Sequence, residues 1–391
     1  MKIIQVSSAS SSFSVMDYRK DIFIAWNAQI AFLIKKYFPD FNVEGWTIER
    51  KFSEEKELEK NDVKIRVFPT NLALRHGMEI SFSMIKSLLS EQEKAKKNNE
   101  KLIVHLHEHH TWQSYLTLFF LDKKVCRIIS QHHGARSPIQ NLRRYKKLYL
   151  ILPLIMLMQL LEKILFKKID VIYGLTSEEI SYLEKIASSS IVRFQTLGIG
   201  KEYFDWKIDK KASRKKLGLD LDKKYALFLG RIATKKGIRE LLEAMEKVNR
   251  KDLELLLIGK GIEYGMYKSY ANKKNLKNVR FLGSIYDERK MHYLSACDFL
   301  ILPSYTEGCP IVLMEASAMN LLVVASKVGG IPSIIKNGRE GILIEPESTN
   351  EIIRGLDEVL KLGKKNIRRY AKRYNWTGII KQYVEDYYIN K

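Results

Sequence analysis

The chain has 391 residues, of which 46% are hydrophobic and 29% are charged, so it is long enough for roughly two or three domains with apolar cores. Its three cysteines lack the spacing of a metal-binding knuckle or a redox pair, and their odd number argues against a disulfide framework. We therefore expect a reducing, cytoplasmic environment. The formal net charge of +22 favours an anionic partner, although surface lysines can also serve solubility alone.

Short apolar runs separated by helical stretches predict an α/β domain in the first half of the chain. The run that follows Lys2 is too short for the core of a signal peptide and is interpreted as a buried strand. The predicted strands are Lys2–Val6, Asn42–Thr47, Ile65–Phe68, Leu102–Leu106, Arg127–Ser130, Val171–Gly174 and Ile191–Thr196. Helices are predicted at Ile22–Tyr37 and Glu79–Asn98.

The second half alternates between strands and helices more regularly. Its predicted strands are Tyr225–Gly230, Leu253–Gly259, Val279–Gly283, Phe299–Ser304, Leu321–Ser326 and Gly341–Ile344. Helices are predicted at Ile238–Val248 and Tyr264–Lys274. Continuous apolar strands between helices indicate parallel strands buried on both faces, which is a doubly wound α/β domain. The stretch Lys207–Lys224 carries eight basic residues and is interpreted as a linker between the halves.

The loops that follow three of these strands carry residues suited to a ligand, and ligands of open parallel sheets bind at the carboxyl ends of the strands. The first loop contains Gly230 and Arg231, with Lys236 beside the start of the next helix. Two cations next to a helix N-terminus suit a diphosphate group. A lysine at a helix start is, however, also common on solvated surfaces.

The second loop carries two glutamates on either side of a helix start. Pro310 fits the first helical position, and Gly308 allows a ligand to approach the backbone closely. Glu307 precedes the helix and Glu315 lies inside it, so the two are offset by ~7 Å along an axis that rises about 1.5 Å per residue. That offset suits two polar groups at opposite ends of a nucleotide sugar, where one meets the hexose and the other meets the ribose.

The third loop reads Val328-Gly329-Gly330-Ile331-Pro332, a glycine turn before another helix start. In this order the three loops resemble those of the family-four retaining glycosyltransferases, whose signature is a glutamate pair with seven residues between its members, as in Glu307 and Glu315. The resemblance extends over roughly residues 223–345. It implies the GT-B fold, in which two Rossmann-like doubly wound α/β domains face each other across a cleft.

The resemblance also implies how the chain is divided. Residues 1–204 would form an acceptor-binding domain, and residues 205–375 would form the domain that binds the nucleotide sugar. The amphipathic stretch Trp376–Tyr388 begins a terminal segment, 376–391, that would pack back on the first domain. From the residues alone, a helix that closes the second domain is the alternative.

Roles for the donor-site residues follow from the same resemblance. Arg231 and Lys236 would hold the donor diphosphate and stabilise the departing nucleotide, because negative charge develops there during transfer. Glu307 would hold hydroxyl groups of the transferred sugar, and Glu315 would hold the ribose. The other donor-binding residues would be Gly230, Gly308, Cys309, Pro310, Ile311 and Val312.

A group of histidines in the first half raises the question of a metal site. The six are His105, His107, His109, His110, His132 and His133. The H-E-x-x-H pattern of a helical zinc motif is absent, and the first of them alternate along a predicted strand. We therefore predict that no metal is bound.

The resemblance assigns a catalytic role to one of these histidines. His133 would face the reacting sugar, with His132 as the alternative, and His107 would line the end of the neighbouring strand. Ser10 and Ser11 are weaker candidates for acceptor contacts, since serines replace the glycine pair that is common after the family's first strand. Packed polar groups at strand ends are the alternative interpretation of the histidines.

The segment 142–169 is both basic and strongly apolar. It holds seven Lys or Arg residues against a single acid, Glu162, and is short for a membrane span, which needs about 20 apolar residues. It is either a buried helix or a segment that lies on an anionic leaflet, and its basic flanks favour the leaflet. We therefore expect a peripheral protein on the inner face of the cytoplasmic membrane.

These observations predict a retaining hexosyltransferase that uses a UDP- or GDP-linked sugar, with a lipid or lipid-linked glycan as acceptor. No further cofactor and no nucleic-acid partner are expected. Transfer should not depend on a metal, because Asp220-Leu221-Asp222 lies in the charged stretch before a strand and is interpreted as solvated. A nucleotide-sugar epimerase of the same fold, or a basic binding protein without enzymatic activity, is the alternative.

Overall fold

The computed structural model describes residues 1–7, 25–73, 79–132, 148–248, 250–363 and 366–388. The chain divides into two compact units, Met1–Gln195 with Thr377–Lys391 and Thr196–Trp376. The second unit therefore begins earlier than residue 205. The reason is that Ile199 and Tyr203 are buried in its core, and the Ile199 amide donates to the Tyr374 carbonyl at 2.7 Å.

A largely parallel sheet is the centre of the first unit. Its strands are β1 (Lys2–Ser7), β2 (Asn42–Glu49), β3 (Lys56–Lys60), β4 (Val63–Pro69), β7 (Leu102–His107), β8 (Cys126–Gln131), β9 (Val171–Gly174) and β10 (Ile191–Phe194). Their order in space is β10-β9-β8-β7-β1-β2-β4-β3, and β3 runs antiparallel to β4. A separate antiparallel pair joins β5 (Leu72–Ala73) to β6 (Glu79–Ile80).

Helices cover this sheet and complete the first core. They are α1 (Trp26–Tyr37), α2 (Phe82–Lys97), α3 (Trp112–Phe120), α4 (Leu148–Phe166) and α5 (Ser177–Ile186). The predicted helix Glu79–Asn98 is wrong at its start, because Glu79 belongs to β6 and the Ser81 side chain caps α2 by accepting from the Met84 amide. Residues 22–24 of the other predicted helix lie outside the described residues.

The second unit contains a wholly parallel sheet. Its strands are β11 (Lys224–Leu229), β12 (Leu253–Ile258), β13 (Val279–Gly283), β14 (Phe299–Leu302), β15 (Leu322–Ser326) and β16 (Gly341–Ile344), in the order β13-β12-β11-β14-β15-β16. The helices are α6 (Lys201–Asp205), α7 (Lys210–Leu217), α8 (Ile238–Lys247), α9 (Tyr264–Lys273), α10 (Arg289–Ala296), α11 (Ile311–Ala318), α12 (Ile331–Ile334), α13 (Thr349–Lys361) and α14 (Arg368–Ala371). The predicted doubly wound class is confirmed.

The basic stretch Lys207–Lys224 is not a linker. Within it, α7 presents Arg214, which is 4% exposed and donates to the Ala296 carbonyl and the Asp298 carboxylate. An arginine buried this deeply needs such partners to offset its desolvation. The stretch is therefore an integral part of the second unit.

The terminal helix α15 (Trp376–Tyr388) packs on the first sheet. The Tyr387 hydroxyl lies 2.9 Å from His105 Nδ1 and accepts from Gln5 Nε2 at 3.0 Å. Arg193 of β10 pairs with the buried Asp386 at 2.9 Å. These buried polar contacts fix the helix against β1, β7 and β10.

Candidate functional site

The loops after β11, β14 and β15 meet at one edge of the second sheet. β11 pairs in parallel with β14, and β14 pairs in parallel with β15, so the carboxyl ends of all three strands lie together. This is the edge at which ligands of open α/β sheets bind. Arg231, Lys236, Glu307 and the glycine pair Gly329-Gly330 all lie in these loops.

Lys236 and Glu307 form an ion pair across two of these loops. The Lys236 Nζ atom is 2.5 Å from Glu307 Oε1, and the Ser304 hydroxyl donates to the same oxygen at 2.7 Å. The lysine ends a short 3₁₀ turn, Thr234–Lys236. Gly237 follows with φ +65°, where an added Cβ would lie 2.1 Å from the Pro303 carbonyl oxygen. Only glycine allows this turn to approach the β14 loop so closely.

Gly329 positions the backbone of Glu307. It has φ +52°, and an added Cβ would lie 1.8 Å from the Glu307 carbonyl oxygen. The Gly330 amide donates to the Gly308 carbonyl at 2.9 Å. The predicted glycine turn therefore holds the Glu307 loop in place, and any larger side chain at position 329 would displace it.

Helix α11 begins at Ile311, one residue later than predicted. Pro310 occupies the capping position with extended backbone angles, and its carbonyl accepts from the Leu313 amide at 3.1 Å. The amides of Ile311 and Val312 belong to the first turn, where a helix offers no acceptor of its own. The two backbone amides that were predicted to contact a ligand thus lie at the start of the helix, beside Gly308.

Glu315 is buried inside α11 and is held by two residues that the sequence did not reveal. Its Oε1 atom accepts from Lys290 Nζ and from the Tyr203 hydroxyl, both at 2.7 Å. Burial is the largest cause that raises the pKa of Tyr203, and the neighbouring Glu315 carboxylate raises it further. The hydroxyl therefore stays protonated and donates. The other oxygen, Oε2, is buried and has no hydrogen-bond partner among the described residues.

Gly230 and Arg231 line a pocket of about 290 Å³ at the ends of β11, β12 and β13. Tyr286, which is 93% exposed, lines the same pocket. Arg231 is exposed and forms no ion pair with the described residues. The neighbouring loop is tightly packed, because a Cβ on Gly259 would lie 1.8 Å from the Gly230 carbonyl oxygen. The two closely spaced glycines Gly259 and Gly261 are the sequence signal for this close packing.

Cys309 lies between Gly308 and Pro310 and is partly buried. Burial raises the pKa of its thiol to about 11, although a hydrogen bond with the Leu197 backbone has a smaller effect in the opposite direction. The thiol is therefore protonated at neutral pH and is not a nucleophile.

The predicted acceptor-side residues are only partly described. His133, Ser10 and Ser11 lie outside the described residues. His107 ends β7, and its Nε2 lies 2.8 Å from Gln5 Oε1. Burial is the main cause that lowers the pKa of His107 well below its usual value, and the neighbouring His105 lowers it further. This imidazole is therefore neutral. His132 is buried beside Glu179, with 3.1 Å between Nδ1 and Oε1.

The second unit matches a known protein family, and several known proteins resemble part of the chain in sequence. Residues 209–376 match the family described as glycosyl transferases group 1. The uncharacterized glycosyltransferase MJ1607 of Methanocaldococcus jannaschii is 31% identical over 45% of this chain and 47% of its own length. The putative teichuronic acid biosynthesis glycosyltransferase TuaC of Bacillus subtilis is 34% identical over 37% of this chain and 34% of its own. The match thus spans less than half the length of either relative.

The fold resemblance extends over nearly the whole chain. The structure of Anabaena Alr3699/HepE in complex with UDP has a TM-score of 0.69 and 16% identity, and the match covers 98% of this chain and 99% of that one. At this identity the match establishes the fold alone. The chain accordingly has the GT-B fold, and its residues 209–376 match the family of glycosyl transferases group 1.

Proposed function

We propose that the chain is a retaining glycosyltransferase that moves a hexose from a UDP- or GDP-linked donor to an acceptor. The observation that carries the proposal is the pair of glutamates in the second unit, each fixed by a lysine. Glu307 is held by Lys236, and the buried Glu315 is held by Lys290. The UDP bound to the HepE structure of the same fold supports a nucleotide donor.

The donor diphosphate would lie between Arg231 and Lys236. Departure of the nucleoside diphosphate leaves negative charge on its terminal phosphate, and preorganised cations stabilise that charge more than they stabilise the bound substrate. Glu307 would accept hydrogen bonds from the sugar hydroxyls. The Glu315 carboxylate would accept from the ribose, and Tyr286 offers an exposed ring on which a base can stack.

Transfer would proceed on one face of the sugar. The acceptor oxygen forms a bond to the anomeric carbon while the bond from that carbon to the phosphate oxygen breaks, and the acceptor proton passes to the leaving phosphate. This step needs neither an enzymic nucleophile nor a metal at the diphosphate, since Arg231 and Lys236 supply the positive charge. His133 is proposed to face the reacting sugar.

A lipid surface is the proposed location of the acceptor. The α4 residues Met156, Leu157, Leu160, Leu161 and Ile164 are each at least 38% exposed. Their i, i+4 spacing places them on one face of the helix. On its other side Glu162 accepts from the hydroxyls of Tyr115 and Tyr182, which fixes the apolar face outward. Among the described residues, no helix combines the length and apolar character needed to cross a bilayer.

Helix α3 extends this apolar surface, which we call the α3–α4 face. Phe119 and Phe120 at its end are 62% and 45% exposed. Lys168 donates to the carbonyls of Phe119 and Leu121 at 2.8 and 2.9 Å, so a cation lies at the margin of the α3–α4 face. Exposed apolar side chains with nearby lysines favour an anionic leaflet. We propose that the acceptor is a lipid or lipid-linked glycan at the inner face of the cytoplasmic membrane.

A transfer assay tests the proposal. The full chain is incubated with UDP- and GDP-hexoses, with and without lipid extracts, and with excess chelator. We expect release of nucleoside diphosphate together with an α-linked product from an α-linked donor, at an unchanged rate under chelation. An altered sugar nucleotide formed from the donor alone would identify an epimerase instead. Transfer that requires an added divalent cation would contradict the proposed role of Arg231 and Lys236.

A further inference from the structure

Three histidines and a glutamate converge in the first unit, apart from the donor-site loops. His109 and His110 follow β7, His132 follows β8, and Glu179 lies in the first turn of α5 after β9. Because β7, β8 and β9 are neighbours in the sheet, their carboxyl ends bring these residues together. One potential ligand atom from each residue lies within 4.8 Å of every other.

The side chains around this group orient the imidazoles inward. His110 Nδ1 lies 2.9 Å from Glu162 Oε1, and His109 Nδ1 lies 3.2 Å from the Ser130 hydroxyl. A carboxylate or hydroxyl on one ring nitrogen leaves the opposite nitrogen as a ligand, which is the usual arrangement of histidines around metals in proteins. The ring centroid of His109 is 4.3 Å from that of His110 and 5.3 Å from that of His132.

Glu179 supplies an oxygen to the same centre. Its Oε1 atom is 3.1 Å from His132 Nδ1 and 3.7 Å from His109 Nε2, and its side chain is only 10% exposed. Three imidazoles and a carboxylate that converge away from water are costly to bury unless a cation or a full set of hydrogen bonds compensates them.

We propose that His109, His110, His132 and Glu179 bind one divalent transition-metal ion, for which zinc is the best match. Zinc takes imidazole nitrogens at about 2.0–2.1 Å and carboxylate oxygens at about 2.0–2.2 Å in tetrahedral sites. The ligands of such a site lie ~3.4 Å apart, so these side chains need to move inward only slightly. The linear spacing of the histidines predicted no metal, but the ligands come from three strand ends and not from one helix.

The four ligands give the site a structural role. A zinc ion with four protein ligands has no open position for water or substrate, so it joins elements rather than performing chemistry. This ion would join the loops after β7 and β8 to the start of α5. It would also fix the backbone at His132, directly before His133. It is separate from the diphosphate site, for which no metal is proposed.

Metal content of the full chain, purified without a histidine tag, tests the site. We expect about one zinc per chain by mass spectrometry, and a cobalt-substituted protein with the intense visible absorption of tetrahedral cobalt. The variant Glu179→Gln keeps the size of the side chain and should lose most of the metal and the cobalt spectrum. The control His292→Gln removes a histidine of the second unit and should change neither.

Thermal unfolding provides the second measurement. A strong chelator should lower the Tm of the wild-type chain, and added zinc should restore it, whereas Glu179→Gln should respond to neither. A folded wild-type chain that contains no metal, gains no stability from zinc and gives no tetrahedral cobalt spectrum would overturn the proposal. The cluster would then be a hydrogen-bonded network of histidines and glutamates. None of these measurements depends on sugar transfer.

Discussion

Lys236 and Glu307 form an ion pair with 2.5 Å between Nζ and Oε1, although 71 positions separate them in the sequence. The pair joins the loop after β11 to the loop after β14, two neighbouring strands. Glycines at positions 237 and 329 allow both loops to approach. In the proposed reaction, the charges that meet the diphosphate and the sugar are therefore positioned before any ligand binds, which is the condition for efficient electrostatic stabilisation of a transition state.

Replacing Glu307 by Gln tests its role toward the sugar. The change keeps the shape of the side chain but removes the charge that pairs with Lys236. We expect kcat for transfer to fall by about 100- to 1000-fold, as for the loss of a group that acts at the transition state. The Tm should also fall, because the side chain is only 10% exposed and the change weakens its pairing with Lys236, but a loss of stability alone would not lower the kcat of the folded protein. Glu246→Gln is the control, because Glu246 pairs with Lys274 at the other end of α8. Equal activity of the two variants would show that Glu307 has no role in transfer.

Gly329→Ala tests whether the glycine turn positions Glu307. The matched control is Gly338→Ala, because both glycines have positive φ, +52° and +72°, but only at Gly329 would a Cβ collide with another residue. We expect Gly338→Ala to lose about 1 kcal/mol of stability and keep its activity. Gly329→Ala should lose more stability and most of its transfer activity. Similar losses in both variants would show that backbone strain alone explains the effect.

The contacts of Glu315 predict a change in donor affinity. In Tyr203→Phe one of the two hydrogen bonds to Oε1 is lost, which weakens the fixing of this carboxylate by about 1 kcal/mol. We expect the KM for the donor to rise about fivefold while kcat is largely kept. Lys290→Met should have a larger effect, because it leaves a buried carboxylate without its cation. A fall in kcat with unchanged KM would contradict the assignment of Glu315 to the ribose.

The raised pKa of Cys309 predicts its reactivity toward alkylating reagents. Only the thiolate reacts, and a thiol with a pKa of about 11 has roughly 300-fold less thiolate at neutral pH than a free cysteine with a pKa of about 8.5. Iodoacetamide should therefore modify Cys309 slowly at pH 7.5, and the rate should rise about tenfold per pH unit up to pH 10. Mass spectrometry of peptides measures this directly. Rapid modification at pH 7 would show that the thiol is activated.

The α3–α4 face predicts binding to anionic membranes. Full-length protein should sediment with vesicles that contain phosphatidylglycerol, and added salt should weaken the binding because each basic residue contributes about 1 kcal/mol of electrostatic attraction. The double variant Leu160→Glu, Ile164→Glu should abolish sedimentation. Leu221→Glu changes an apolar residue of the second unit that is 44% exposed and should have no effect. Binding that survives in the double variant would exclude this face.

The sequence was informative where burial dictates composition. The second sheet was predicted from continuous apolar runs, because parallel strands covered on both faces leave no polar positions. Strand β3 was missed because its residues, KELEK, are charged and exposed at the edge of the sheet. The early boundary of the second unit was missed because Ile199 precedes the first strand of that unit by many residues yet bonds to Tyr374 near its end.

The site was predictable where its residues lie in loops that directly follow predicted strands. Glu307, Gly308 and Glu315 share one loop and helix, so their spacing carried the inference. Lys290 and Tyr203 lie 25 and 112 positions from Glu315, and no local pattern connects them to it. The convergence of the histidines was hidden for the same reason, since a spacing argument tests one helix or strand and cannot detect side chains that three strand ends bring together.

Calorimetric titration of the full chain with UDP, GDP and their hexose conjugates measures directly whether the protein binds a nucleotide donor. We expect one nucleotide series to bind the wild-type chain without added metal. Lys236→Met should weaken that binding at least about tenfold, or ~1.4 kcal/mol, and Glu246→Gln should leave it unchanged. Folded wild-type protein that binds no nucleotide or nucleotide sugar at millimolar concentration would contradict the account, as would equal binding by Lys236→Met.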